Sequence, residues 1–156
     1  MPEQTAFLAG RSISDAVHLS QELLHNYHLN LGPQRCAIKI DLRKAFDTVR
    51  WDFIIAAMRA SKIPENMLGW IKECITSSTF TIGMNGNLFG YFKATGGLRQ
   101  GDPLSPYLFI LAMEGLSGIM KAAKIARPFK YHWKCSKAGI THLCFADDLM
   151  VFFPWG

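Results

Sequence analysis

Charge is scarce in this chain: Asp, Glu, Lys and Arg make up 19% of its 156 residues, against 49% hydrophobic. A disordered segment needs the opposite balance, so a packed core is expected, and the length suits one ordinary domain. Cysteine is scarce too. Cys36, Cys74, Cys135 and Cys144 include no C-x-x-C pair, which argues against a zinc finger or a disulfide framework. Cys36, Cys74 and Cys144 stand in apolar patterns, so buried free thiols in a reducing compartment are expected. No basic stretch followed by an apolar one opens the chain, and no secretory signal is legible. The most apolar run, Tyr107 to Met113, stops at Glu114 and Gly115. That is far short of the roughly 20 residues that cross a bilayer, so no membrane partner is expected. Repeats and low-complexity tracts are absent. His18, His25, His28, His132 and His142 share no ligand spacing with one another or with the cysteines, and none is nominated for a metal.

What is present is a modest basic excess and a clear alternation of elements. Seventeen Lys and Arg against 12 Asp and Glu leave a formal net charge of +5, which permits a polyanionic partner without demanding one. Ser12 with Asp15 three residues on forms a capping box, and helical spacing continues to about Tyr27, ahead of a break at Gly32-Pro33. Cys36, Ile38 and Ile40 alternate with Ala37, Lys39 and Asp41, so a strand ends at Asp41, on the face opposite the isoleucines and away from the core. Helices are expected over Trp51 to Ser61, with Phe53, Ile54, Ala57 and Met58 inward. Another follows Pro64 and carries Met67, Leu68, Ile71, Cys74 and Ile75. Phe80, Ile82 and Met84 lead into Asn85-Gly86, a strong hairpin turn, with Leu88 to Lys93 returning. Ser105 and Pro106 start a helix that runs to about Ala123. A second hairpin follows, Ile140 to Phe145 and Leu149 to Phe153, with Asp147 and Asp148 at its tip. The tryptophans read as core or interface. The class is α+β.

Three places could carry chemistry. Asp147 and Asp148 stand between two apolar strands, where two carboxylates repel each other unless a cation lies between them. Turn aspartates are commonly structural, since the side chain satisfies nearby amides. Asp41 ends its own apolar strand and could equally cap a helix or pair with Lys39, Arg43 or Lys44. If the strands lie side by side, the three make a cluster suited to two divalent cations roughly 3.5–4 Å apart, the arrangement used in phosphoryl transfer. The third place is Gly96-Gly97-Leu98-Arg99-Gln100-Gly101, ahead of Ser105-Pro106. Its glycines allow close approach to a ligand, and Arg99 and Gln100 offer donors to phosphates or base edges.

Ile40-Asp41-Leu42-Arg43-Lys44-Ala45-Phe46-Asp47-Thr48-Val49, Gly97 to Pro106 and Phe145-Ala146-Asp147-Asp148 together resemble, in order, motifs A, B and C of reverse transcriptases. The likeness is closest to LINE-type, non-LTR retrotransposons. Gln4 to Ile13 is similar to the segment preceding motif A there. The resemblance implies a palm with a ferredoxin-like core, its helices on one face of an antiparallel sheet with two hairpins. It implies that residues 1–34 are a remnant of the fingers and 35–156 the palm. Asp41, Asp147 and Asp148 would be catalytic carboxylates holding two Mg2+ ions, with Mn2+ as a substitute. Phe46 matches the aromatic gate that excludes a 2′-hydroxyl, and Gln100 and Gly101 line the nucleotide pocket. Arg11 and Arg99 fall where nucleic acid is contacted. The implied partners are an RNA template, a DNA primer and a deoxynucleoside triphosphate.

Phe145 replaces a tyrosine common before Ala-Asp-Asp in that family. Little precedes Gln4 and nothing follows Trp155-Gly156, so a truncated palm is expected, lacking a thumb unless another chain supplies the missing fingers and thumb segments. Three readings stay open: an RNA-directed DNA polymerase palm, an inactive retrotransposon remnant, and a basic nucleic-acid-binding module. The basic stretch from Lys121 to Lys137 reads as a solvated loop. Residence is expected in nucleus or cytoplasm.

Overall fold

The computed structural model describes residues 10, 12–29, 34–126, 131–136 and 139–155. Residues 1–9 and 11 of the lead segment, the Gly32-Pro33 break and much of the basic stretch after Ala126 lie outside the described residues. The elements are α1 (Ile13–Leu24), β1 (Arg35–Asp41), α2 (Ala45–Thr48), α3 (Trp51–Ala60), α4 (Glu65–Thr76), β2 (Thr79–Met84), β3 (Asn87–Lys93), α5 (Ser105–Ala126), β4 (His142–Phe145) and β5 (Asp148–Pro154). They form two compact units, Met1–Arg43 with Leu116–Gly156, and Lys44–Gly115. None of the described helices is long and apolar enough to cross a membrane.

In the first unit, β1, β5 and β4 form an antiparallel sheet in that order. The predicted capping box starts α1: Ser12 Oγ accepts from the Ser14 N–H at 3.1 Å, and the Asp15 carboxylate accepts from the Ser12 N–H at 3.4 Å. Leu19, Leu23 and Leu24 of α1 then pack with Ala37, Leu143, Met150 and Phe152. Pairing puts Ala37 opposite Phe152 and Leu143 opposite Met150, so these residues share one face. His142 points to the other face, where Ser117 of α5 meets its Nε2 at 2.8 Å.

Helices therefore cover both faces of this sheet, which corrects the expectation of one. The reason lies in β5, apolar at every position from Leu149 to Phe153, so each face has a hydrophobic row to bury. A second correction concerns β1. Its core residue Ala37 shares a face with Asp41, whereas Ile38 and Ile40 are exposed. As an edge strand, β1 is covered only where α1 reaches it, and alternation alone does not say which face that is.

His132 is fully buried in the same unit. Its ring stacks on Tyr27 at 5.9 Å and meets Phe152 at 6.3 Å. Nδ1 lies 3.9 Å from Cys135 Sγ, and Nε2 has no partner among the described residues. Burial pushes the imidazole pKa below its ordinary 6.5, and Arg35 and Lys134 push the same way. Folding thus favours the neutral ring. Its contribution to stability is complete above about pH 6.5 and is lost as pH falls from there through the folded-state pKa. His132→Phe is expected to flatten the acid limb of urea midpoints measured between about pH 7.5 and 5. An unchanged limb would assign it to other groups.

The second unit buries Ile54, Ala57 and Met58 of α3, Leu68 and Ile71 of α4, and Leu108, Phe109, Ala112 and Met113 of α5. Gly115 lets α5 approach α3, since a Cβ there would sit 3.1 Å from the Phe53 ring. β2 and β3 pair across Asn85 and Gly86, both at positive φ (51° and 80°), as the predicted turn requires. The α4 stripe is narrower than its periodicity suggested. Met67 and Cys74 are exposed, so Cys74 is not a buried thiol, and Cys36 is half-buried. Cys144 is buried as expected. Cys135 is buried too, and burial pushes its thiol up to about 11. Trp70, Trp133 and Trp155 are also exposed, which leaves Trp51 as the half-buried tryptophan.

Candidate active site

The β1–β5 register sets Asp41 directly opposite Asp148. The β4–β5 turn has two residues, Ala146 at φ 51° and Asp147. The Leu42 N–H donates to the Asp147 carbonyl at 3.3 Å, which stitches this turn to the end of β1. One end of the sheet therefore gathers all three aspartates. A slip of one residue in β1 would carry Asp41 to the opposite face, so the register that packs Ala37 against the core also positions this carboxylate.

Directly opposed residues have Cβ atoms about 4.5–5.5 Å apart, and like charges there destabilise the ladder. Lys39 answers part of that repulsion. It lies two residues before Asp41 on the same face, and its Nζ stands 3.0 Å from Asp148 Oδ1. The hydrogen bond and charge of Asp148 raise the ammonium pKa above its ordinary value, with Asp41 and Asp147 adding to the effect. All three carboxylates thus bear on one cation. Among the described residues, no three His, Cys, Asp or Glu side chains converge closely enough to make a ready metal cage. The backbone brings the aspartates together, and the carboxylates stay apart. The donor set, carboxylate oxygen throughout, is the hard kind that suits Mg2+.

Phe46, Arg99, Gln100 and Gly101 belong to the second unit. Phe46 lies on α2, half-buried, with its ring stacked on Phe109 at 4.7 Å and 17°. The glycine-rich loop is fastened to α2, its C-cap and the first residue of α3 by three hydrogen bonds. The Leu98 N–H donates to the Phe46 carbonyl at 2.7 Å, the Gly97 N–H to that of Val49 at 2.9 Å, and the Trp51 indole N–H to that of Gly97 at 2.6 Å. Gly97 sits at φ 81°, and a Cβ there would lie 2.7 Å from the Asp47 carbonyl oxygen. This glycine permits close approach to the chain's own backbone, where the sequence suggested a ligand.

Gln100 and Arg99 are exposed on the turn that follows, with Gly101 at φ 90°. Arg99 is tethered, its Nη2 2.6 Å from Asp102 Oδ2, while Asp102 Oδ1 accepts from the Leu104 N–H ahead of α5. A cleft of about 530 Å³ opens beside this loop, with Trp51 and Phe80 as apolar walls and Asp47, Arg99, Gln100 and Ser105 as polar ones. Arg11 lies outside the described residues. In sequence, Lys39 stands out only as a partner for Asp41, and Trp51 only as the start of a helix. The signal for Lys39 was its i, i+2 spacing from Asp41, whereas nothing local marked Trp51.

A profile of the reverse transcriptase (RNA-dependent DNA polymerase) family matches residues 1–154. The Retrovirus-related Pol polyprotein from type-1 retrotransposable element R2 of Popillia japonica is 34% identical over 114 residues, 73% of this chain and 18% of that protein. The Transposon TX1 uncharacterized 149 kDa protein of Xenopus laevis is 32% identical over 113 residues, 72% of this chain and 9% of that one. The chain thus spans less than a fifth of the length of these relatives. An apo telomerase from Candida tropicalis, truncated from its C-terminal domain, superposes on 97% of this chain with a TM-score of 0.60. The match covers 30% of the telomerase chain at 14% identity, a likeness of fold.

Proposed function

The chain belongs to the reverse transcriptase (RNA-dependent DNA polymerase) family, and on that premise we propose that it is the palm of an RNA-directed DNA polymerase. Residues 35–156 would carry motifs A, B and C, and 1–34 part of the fingers. The reaction is attack of a DNA primer 3′-hydroxyl on the α-phosphate of a deoxynucleoside triphosphate, templated by RNA. The observation that carries this reading is the pairing of Asp41 with Asp148 beside Asp147 in the adjoining turn.

In this reading Asp41, Asp147 and Asp148 hold two Mg2+ ions, with Mn2+ as a substitute. When bound, such ions lower the pKa of the primer hydroxyl and neutralise the charge of the leaving pyrophosphate. The protein's own part is positioning. The β1–β5 ladder sets the Asp41 and Asp148 backbones side by side, so only side chains would have to turn toward a bound ion. Phe46, braced by Phe109, presents a stiff ring to the sugar, where a 2′-hydroxyl has no room. Gln100 and Gly101 line the nucleotide pocket. Arg99, aimed by Asp102, and Arg11 contact nucleic acid.

The test is primer extension by the purified chain, with an RNA template, a DNA primer, deoxynucleotides and Mg2+ or Mn2+. Template-dependent extension is expected, and its absence from a chain folded by circular dichroism would overturn the proposal. Phe46→Ala is expected to narrow the preference for deoxy- over ribonucleotides by roughly tenfold to a hundredfold, read as a ratio of kcat/KM values. A ratio within one variant is insensitive to its folded fraction. If it does not move, Phe46 serves only to pack against Phe109.

A further inference from the structure

We propose that Lys39 is the resident counter-cation of the Asp41–Asp147–Asp148 cluster, and that it competes with divalent cations for Asp148 and so sets the cluster's metal affinity. The inference rests on the reading of these aspartates as metal ligands. Three carboxylates gather at one sheet end, two of them directly opposed across the ladder, and a nearby positive charge relieves part of their repulsion. Among the described residues, Lys39 is the cation within ion-pair distance of the cluster, 3.0 Å from Asp148 Oδ1.

Its position favours exchange over a permanent lock. The Lys39 side chain is 62% exposed, so water screens the pair and the ammonium leaves at little cost. A lysine on a flexible four-carbon stem can swing into solvent, unlike a guanidinium held by two parallel hydrogen bonds. An oxygen of Asp148 cannot serve the ammonium and a metal ion equally well. Entry of a divalent cation therefore turns Lys39 outward, and the free chain keeps its sheet end assembled meanwhile. Lys39 is in this sense a positioning residue, acting through Asp148.

The experiment is direct Mn2+ titration of the chain, followed by the paramagnetic signal of free Mn2+, with melting temperatures measured alongside. Lys39→Met keeps the stem and removes the charge, Lys39→Arg keeps the charge, and Asp147→Asn reports on the site itself. Lys39→Met is expected to bind Mn2+ about twofold to fivefold more tightly, and Lys39→Arg no more tightly than the unmodified chain. It should also melt lower without metal and gain more from Mn2+. Equal or weaker binding by Lys39→Met, alongside loss in Asp147→Asn, would overturn the role of Lys39 and leave the metal site standing. Absence of Mn2+ binding from both the unmodified chain and Lys39→Met would overturn the two together.

Discussion

Asp147→Ala is expected to lower primer extension by about a thousandfold or more, because cation-borne stabilisation of a phosphoryl-transfer transition state is worth several kcal/mol. The same substitution should cost the fold nothing. Asp147 lies exposed in a two-residue turn, and its contribution to architecture is a backbone carbonyl that accepts from the Leu42 N–H, which alanine retains. Removing one of three neighbouring negative charges relieves repulsion, so the melting temperature without metal should hold or rise. A carboxylate kept for structure behaves in the opposite way, and the two readouts together separate these cases. Asp52→Ala is the control. That carboxylate sits on the exposed start of α3, pairs with Arg50 and should leave extension unchanged. Extension that survives Asp147→Ala would remove the aspartate cluster from the chemistry.

The largest effect on stability is expected at Gly97. Alanine there must take up φ 81°, which costs about 1–2 kcal/mol, and its Cβ would lie 2.7 Å from the Asp47 carbonyl oxygen. Backbone must then move, and overpacking adds about 1–3 kcal/mol. A loss near 3 kcal/mol in urea unfolding is expected. Gly101→Ala offers the comparison, since φ is 90° but nothing lies within 4 Å of the added Cβ. It carries only the conformational part, about 1–2 kcal/mol. Equal losses at the two positions would mean that the loop does not press against α2. The larger loss at Gly97 should come with weaker nucleotide use, because three hydrogen bonds to the stretch from Phe46 to Trp51 hold this loop and Gln100 follows it directly.

Much of the candidate site was legible because its signals are local. The order and spacing of Asp41, Gly97 to Pro106 and Asp147-Asp148 named the family before any fold was known, and the family profile covers residues 1–154. Partnerships within the site were less legible. Arg99 reads as a free donor in sequence, yet Asp102 three residues on engages it. Gly97 reads as room for a ligand, yet the Asp47 backbone takes that room.

The sequence by itself determined the elements whose causes lie within a few residues. The Ser12–Asp15 capping box, the β1 strand ending at Asp41, the Asn85-Gly86 turn and the Ser105 start of α5 each depend on neighbours along the chain, and each stands where it was expected. Tertiary structure alone decided what depends on distant partners. It chose the buried face of β1, covered the sheet on both sides, buried Cys135 while leaving Cys74 exposed, and brought Lys39 to Asp148 across the ladder. Alternation along a strand and periodicity along a helix state that two faces differ. Which face is buried, and which charge meets which, follows from the elements that pack there, and residues more than 100 positions apart carry no local mark of that choice.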